Sequence, residues 1–135
     1  MTVICDYCGK PAELVTGATI FPHRYDLREK RFWRCDPCGA WVGTHEGTEN
    51  PYGRLANEEL RRAKQRAHRA FDPIWEIAMR GDGCSRHRAR GRAYAWLSKE
   101  LGVPIEQCHI GMFDLETCQR AAAICRKFLS RSRAA

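Results

Sequence analysis

Two pairs of cysteines in the first third of the chain have the spacing of a metal site. Cys5 and Cys8 form one Cys-x-x-Cys pair, Cys35 and Cys38 form the other, and a glycine directly follows each pair. Two intervening residues let both sulfurs of a pair bind one Zn²⁺ at roughly 2.3 Å from a tight turn. The glycine permits a positive φ where backbone amides turn toward the sulfurs. The four thiolates predict one structural Zn²⁺ and leave no open position for a catalytic water.

The residues around these pairs are typical of short β-strands. The segment from Ala12 to Phe21 is rich in β-branched residues, and strand-like stretches lead into and out of the second pair. About 45 residues of β-hairpin bury too little apolar surface to fold alone, so the metal is expected to supply the missing stability. The order of pairs and strands predicts a zinc ribbon over residues 1–50.

The remaining cysteines have no regular ligand spacing. A second metal site could draw on Cys84, His87, Cys108, His109 and Cys118. Cys118 and Cys125 also lie on the apolar stripe of a predicted helix, and free cysteines are often simply buried. We expect reduced core thiols here, and a second metal site stays open as an alternative.

Residues 51–135 are predicted to be helical. A turn-rich stretch, residues 46–56, separates them from the ribbon. Asn57 and Asp114 are predicted helix caps, Ser85 or a nearby residue is predicted to open another helix, and Gly102 is a predicted helix end. The pair Asp72-Pro73 either kinks a helix or starts a new one, and a cap followed by proline favours a new helix. The chain is therefore predicted to be an α+β protein, with a four-cysteine zinc ribbon packed on a bundle of three to four helices.

The positive charge is concentrated in the helical part. The chain has a net charge of +7, yet residues 1–50 carry 6 basic against 7 acidic side chains and residues 51–135 carry 17 against 9. Such an excess favours an anionic partner, above all nucleic acid. The candidate contacts to phosphate are a stripe on the first long helix and a cluster at the start of a later one: Arg61, Arg62, Lys64, Arg66, Arg69, Arg86, Arg88, Arg90 and Arg92.

Three stretches of the helical part resemble a known family. They are the segment from Ala67 to Trp75, the run from Arg90 to Leu97 followed by Leu101–Pro104, and the string from Cys108 to Cys118 that reads Cys-His-Ile-Gly-Met-Phe-Asp-x-x-x-Cys. With the N-terminal cysteine pairs, they resemble a family of small phage and prophage proteins that contain a zinc-finger domain. The sequence departs from that pattern at Ala89 and Gly91 and in its additional arginines. The resemblance implies a zinc module and a phage origin, and it implies no activity.

The leading functional hypothesis is therefore a zinc-containing accessory protein that binds nucleic acid through its basic helices. The alternative is an interaction module that modulates a host enzyme or defence system. We expect no enzymatic activity, because the chain lacks a phosphate-cradling glycine loop, a carboxylate cluster and a His-Glu-x-x-His motif. The only enzyme we can formulate is a nuclease based on His109 and Asp114. No apolar run approaches the ~18 residues of a membrane span and no signal peptide is recognisable, so a cytoplasmic location is expected, that of the host cell if a phage encodes the protein.

Overall fold

The computed structural model of the protein describes residues 1–134, with side chains through residue 132. It divides into two compact units, Met1–Arg61 and the chain from Arg62 onward. The first unit contains a three-stranded sheet and the second consists of helices, so the predicted α+β class is confirmed.

The first unit is built on an antiparallel sheet in the order β1-β2-β3. These strands are Glu13–Thr16, Arg31–Cys35 and Ala40–Gly43, and a one-turn helix, α1 (Gly17–Ile20), follows β1. Leu14 pairs with Trp33, and Trp33 pairs with Val42, so these three side chains share one face of the sheet. That face packs into a buried cluster of the unit, which contains Cys5, Trp33, Cys35, Ala40 and Leu55.

The segment after β3 folds back along the sheet. Ala56 and Trp41 exchange two backbone hydrogen bonds of 3.0 and 3.1 Å, and the Trp33 indole donates to the Glu49 carbonyl at 2.7 Å. Residues 51–56 therefore bond to β3, and the two compact units divide after Arg61. The sequence predicts the end of the ribbon at residue 50, whereas the first compact unit extends to Arg61.

Three long helices follow: α2 (Glu58–Asp82), α3 (Arg86–Leu101) and α4 (Leu115–Ala134). Two 3₁₀ turns, Ile105–Gln107 and Ile110–Met112, connect α3 to α4. Within the second unit, buried side chains recur at helical spacing along all three helices, as the apolar periodicity predicts. They include Ala67, Phe71, Trp75, Ala93, Tyr94, Leu97, Cys118, Ala122 and Cys125.

The predicted caps Asn57 and Asp114 are confirmed, and Ser85 is the residue that caps α3. The Leu60 amide donates to Asn57 Oδ1 at 2.9 Å, the Arg88 amide to Ser85 Oγ at 3.2 Å, and the Thr117 amide to Asp114 Oδ1 at 2.8 Å. Gly102 ends α3 in the left-handed conformation, with a φ of 69°. These side chains satisfy amides that the first turn of a helix leaves without a partner.

The prediction of a new helix at Asp72-Pro73 is wrong. The helix α2 continues through Pro73 to Asp82. Asp72 lies inside this helix and does not cap one, and its Oδ1 accepts a hydrogen bond of 2.9 Å from the Trp75 indole. The buried side chains on both sides of the proline, Phe71 and Trp75, hold one continuous apolar face together. This packing outweighs the backbone hydrogen bond that proline removes.

None of the helices within residues 1–134 combines the length and the apolar character that crossing a bilayer requires.

Candidate metal centre and basic surface

Local backbone structure brings the four predicted cysteine ligands together. Cys5 and Cys8 lie in a tight turn that is closed by hydrogen bonds from the Gly9 amide to the Cys5 carbonyl (2.8 Å) and from the Cys5 amide to the Lys10 carbonyl (2.9 Å). Cys35 ends β2, and Cys38 lies in the turn before β3. Gly9 and Gly39 have φ values of 76° and 61°. Both glycines after the cysteine pairs thus take the left-handed conformation that the sequence predicts.

The positions of the sulfurs match a tetrahedral metal site. All four Sγ atoms lie within 4.8 Å of one another, and Cys8 Sγ is 3.7 Å from Cys35 Sγ. Four sulfurs at Zn–S bonds of roughly 2.3 Å are separated from one another by about 3.8 Å. Cys5 and Cys35 are buried, whereas Cys8 is exposed. The donor set and its spacing therefore fit one structural Zn²⁺ with a complete set of protein ligands.

The pKa shifts in this cluster also indicate that a bound cation is needed to keep all four thiols ionised. Hydrogen bonding with the Cys35 thiol, together with burial and the neighbouring thiols, raises the pKa of Cys38 to about 12. A backbone hydrogen bond from Lys10 lowers the pKa of Cys8. Four thiolates this close repel one another, so a divalent cation is needed before all four can be anionic together.

The other cysteines and two of the histidines do not join this site. His23 and His45 are exposed, and the His45 ring lies 4.5 Å from the ring of Tyr52. Cys108, Cys118 and Cys125 are fully buried, and burial raises the pKa of Cys125 to about 12. All three are core thiols. In residues 1–134, only the N-terminal four cysteines form a metal-type cluster of three or more ligands.

Several of the predicted phosphate contacts are engaged within the protein. Arg61 donates to the Ala56 carbonyl at 2.6 Å, and its guanidinium lies 4.3 Å from the centre of the Trp41 ring. Lys64 donates to the Gly111 carbonyl at 2.8 Å. Both side chains are half-buried and stabilise the fold, so they have fewer donors left to bind the phosphates of a partner.

The arginine cluster at the start of α3 is also partly engaged. The guanidinium groups of Arg86 and Arg90 lie 5.3 and 6.0 Å from the centre of the Trp75 ring. Arg92 forms a salt bridge of 2.9 Å with Asp82. Cation–π contacts and the ion pair thus account for much of this cluster, and Arg88 is exposed in the first turn of the helix.

A basic groove runs between α2 and α4, with a volume of about 500 Å³. Arg66 and Arg69 line it from α2, Arg126 lines it from α4, and all three side chains are exposed. The remaining lining residues are small or apolar: Ala70, Pro73, Leu129 and Ser130. All the charged residues of this lining are arginines. We call this feature the α2–α4 groove.

Arg126 is a functional candidate that the sequence did not single out. The polar face of α4 contains several basic residues, among them Arg120, Arg126, Lys127 and Arg131. The sequence does not say which of them faces α2, because that depends on how the helices pack. Of the nine predicted contacts, Arg66 and Arg69 are the two that line the groove.

The fold and the four-cysteine site define a zinc-finger protein with an appended helical unit. The sequence matches the family of zinc-finger-containing domains over residues 1–128, and the protein belongs to that family. The match spans both compact units, so the helices are part of the family's domain. Comparisons with curated proteins and with solved structures found no similar protein.

Proposed function

We propose that the protein binds the phosphate backbone of nucleic acid through the α2–α4 groove. The observation that carries this proposal is the lining itself, in which three exposed arginines come from two helices and none of the lining residues is a carboxylate. Guanidinium groups bind phosphate oxygens bidentately, and arginine is the residue that nucleic-acid interfaces use most for this purpose.

The expected binding is strong at low salt and weak in sequence preference. Arginine contacts to phosphate position a protein on nucleic acid without reading the bases. Each phosphate that a side chain neutralises releases counterions, so affinity falls steeply as salt concentration rises. The 17 basic side chains of residues 51–135 add to the attraction at longer range.

In this proposal the protein is a binding module and not an enzyme. The four cysteines complete the coordination of the metal, so the zinc stabilises the fold. Asp114, one half of the only nuclease pair that the sequence suggests, caps α4. The ring of His109, the other half, lies 5.0 Å from the Tyr94 ring. Retained nucleic-acid cleavage in a His109→Ala protein would remove that pair from consideration, and any cleavage by the wild-type protein would contradict the proposal.

The test is fluorescence anisotropy of zinc-loaded protein with labelled single-stranded DNA, duplex DNA and RNA across a salt series. We expect Arg66→Gln, Arg69→Gln and Arg126→Gln each to weaken binding about 3- to 10-fold at low salt and to lower the salt dependence by about one counterion. Comparison of the three nucleic acids identifies the preferred strand form.

Lys99→Gln is the matched control. Lys99 is an exposed cation in the last turn of α3, and it does not line the groove. Its replacement by glutamine removes the same formal charge as each groove variant. The proposal requires that the groove variants bind more weakly than this control. Equal losses of affinity in all four variants would mean that net charge, and not the groove, determines binding. Absence of binding at low salt would refute the proposal.

A protein partner is the second candidate function, and exposed aromatic residues of the first unit favour it. Tyr25 and Tyr52 are 74% and 59% exposed, and Tyr52 borders a cleft of about 540 Å³. Two tryptophans of the same unit are less accessible, since Trp33 is buried and the Trp41 ring packs against the Phe32 ring with the centroids 5.7 Å apart. A pull-down that recovers one stoichiometric host protein without nucleic acid would support this candidate over the first.

The resemblance to phage and prophage proteins suggests where such a protein would act. We propose that such a protein acts in the cytoplasm of the host cell as a phage-encoded accessory factor. Isolation of the encoding sequence from within a prophage would support this setting, and its occurrence only among host housekeeping sequences would contradict it.

A further inference from the structure

Part of the lining of the α2–α4 groove has no use in binding phosphate. Besides its arginines, the groove is lined by Ala70 and Pro73 of α2 and by Leu129 of α4, and Pro73 and Leu129 are half-buried. Apolar side chains gain free energy when other apolar surface covers them, and a phosphate group has none to offer. We call these three residues the apolar lining. The groove thus combines cations that suit a phosphate with a surface that suits another part of a ligand.

Pro73 also leaves a backbone acceptor in the groove. In an α-helix the carbonyl of each residue accepts a hydrogen bond from the amide four residues later. For Arg69 that later residue is Pro73, which lies inside α2 and has no amide hydrogen. Residues four apart share one face of a helix, and both of these residues line the groove. The Arg69 carbonyl therefore lacks its helical donor on the face of α2 that borders the groove.

One nucleotide of a DNA strand matches each of these features. The groove has a volume of about 500 Å³, within the range of roughly 300–1,000 Å³ that is typical of small-ligand sites. The phosphate of the nucleotide suits the arginines, and the flat face of its base suits the apolar lining. The Arg69 carbonyl requires a donor, and in the interior of a DNA strand only the bases have N–H groups to donate.

Base pairing decides whether a base can reach these groups. In a duplex the bases are stacked inside the double helix and their pairing N–H groups are already bonded, while the phosphates remain outside. In a single strand a base can turn outward and present its face and its edge to a protein. The arginines can therefore bind either form, whereas the apolar lining and the Arg69 carbonyl suit only an unpaired base.

We propose that the α2–α4 groove holds one unpaired nucleotide of a single strand. Its phosphate lies on the arginines, its base covers the apolar lining, and a base N–H group donates to the Arg69 carbonyl. The proposal rests on the proposed function, because the same arginines hold the phosphate, and it identifies single-stranded nucleic acid as the ligand. All four bases have an N–H donor, so the contact adds affinity without selecting one sequence.

The test measures the fluorescence anisotropy of three labelled DNA probes with the zinc-loaded full chain at low salt. The probes are a single strand without self-complementarity, the same strand annealed to its complement, and a single strand of equal length whose central nucleotides lack their bases. We expect the first probe to bind at least 10-fold more tightly than either of the others. Electrostatic attraction alone would favour the duplex, which has the higher density of negative charge.

Two variants alter the groove without removing an arginine. Pro73→Ala supplies the missing amide to the Arg69 carbonyl, so it should weaken binding of the intact single strand several-fold more than binding of the duplex or of the strand without bases. Leu129→Ala reduces the apolar lining from the other helix and should have the same selective effect. Arg66→Gln should instead weaken binding of all three probes, because it removes a contact to phosphate.

Pro104→Ala is the matched control, since Pro104 precedes the 3₁₀ turn Ile105–Gln107 and does not line the groove. It should keep the wild-type preference for the single strand. Circular dichroism verifies that each variant is folded, and Leu129→Ala is the decisive variant if Pro73→Ala does not fold.

Three results would overturn the proposal and leave the proposed function intact. They are equal or tighter binding of the duplex by the wild type, equal binding of the single strands with and without bases, and an unchanged preference in the decisive variant. In each case the arginine variants would still bind more weakly than Lys99→Gln. Absence of binding of every probe at low salt would refute the proposed function as well.

Discussion

Gly17 lies where the fold leaves no room for a side chain. A Cβ atom at this position would lie 1.7 Å from the Leu27 carbonyl oxygen, which belongs to backbone and cannot swing away. The Gly17 amide also donates to the Lys30 carbonyl at 2.7 Å, so the two segments cannot separate without losing this bond. Glycine is required here by the close approach of two stretches of backbone and not by an unusual φ.

We therefore predict that Gly17→Ala lowers the free energy of unfolding by about 2 kcal/mol or more. Gly91→Ala provides the control, because Gly91 lies inside α3 with nothing within 4 Å of the added Cβ. Alanine is the better helix former, so this change should raise the free energy of unfolding by up to about 1 kcal/mol. Urea denaturation of both zinc-loaded variants measures the two effects. Equal shifts in the same direction would contradict the role given to Gly17.

The metal ligands are the residues that the sequence predicts best. Two residues between Cys5 and Cys8, and between Cys35 and Cys38, constrain the geometry locally, and the fold has only to bring two local turns together. Arg126 shows the opposite situation. Its place in the groove depends on the packing of α4 against α2, which no local spacing encodes.

At the scale of elements, local sequence signals predict the helix ends correctly, but they do not predict that α2 continues through Pro73. Asn57, Ser85 and Asp114 cap helices because each side chain reaches an amide three residues along the chain. The same local reasoning fails at Asp72-Pro73, where apolar packing on both sides of the proline holds α2 together. Tertiary contacts therefore override the local preference for a new helix at this position.

Pro73 should therefore reduce the stability of α2, and we predict that Pro73→Ala raises the free energy of unfolding by about 1 kcal/mol or more. The substitution restores a backbone donor inside the helix and removes the clash of the proline ring with the preceding turn. Urea denaturation followed by far-UV circular dichroism measures the change.

Pro104→Ala is the comparison for this variant. Pro104 precedes the 3₁₀ turn Ile105–Gln107 with φ −55° and ψ 143°, a conformation that proline adopts without strain. Its loss should lower the free energy of unfolding by roughly 0.4–1 kcal/mol, because the unfolded chain gains freedom. Destabilisation by Pro73→Ala as well would mean that α2 begins anew at the proline, as the sequence alone suggests.

At the scale of the whole molecule, the two compact units have different sources of stability. The core cluster of the first unit contains five buried residues, and two of them, Cys5 and Cys35, are metal ligands. The second unit buries aromatic and aliphatic side chains from all three of its helices. A core in which ligands replace apolar side chains depends on the metal, whereas an apolar helical core does not.

Removal of zinc should therefore unfold the sheet of the first unit and leave the helical core protected. Hydrogen exchange measured by mass spectrometry, with and without a chelator, separates the two responses. We expect the amides around Trp33 and Trp41 to lose protection and those around Ala93 and Leu97 in α3 to keep it. Cys38→Ser should reproduce the chelated pattern with zinc present, while Cys125→Ala should still bind one zinc per chain. Equal loss of protection in α3 would show that the metal holds both units in one cooperative structure, and unchanged protection in the sheet would show that the metal is not structural.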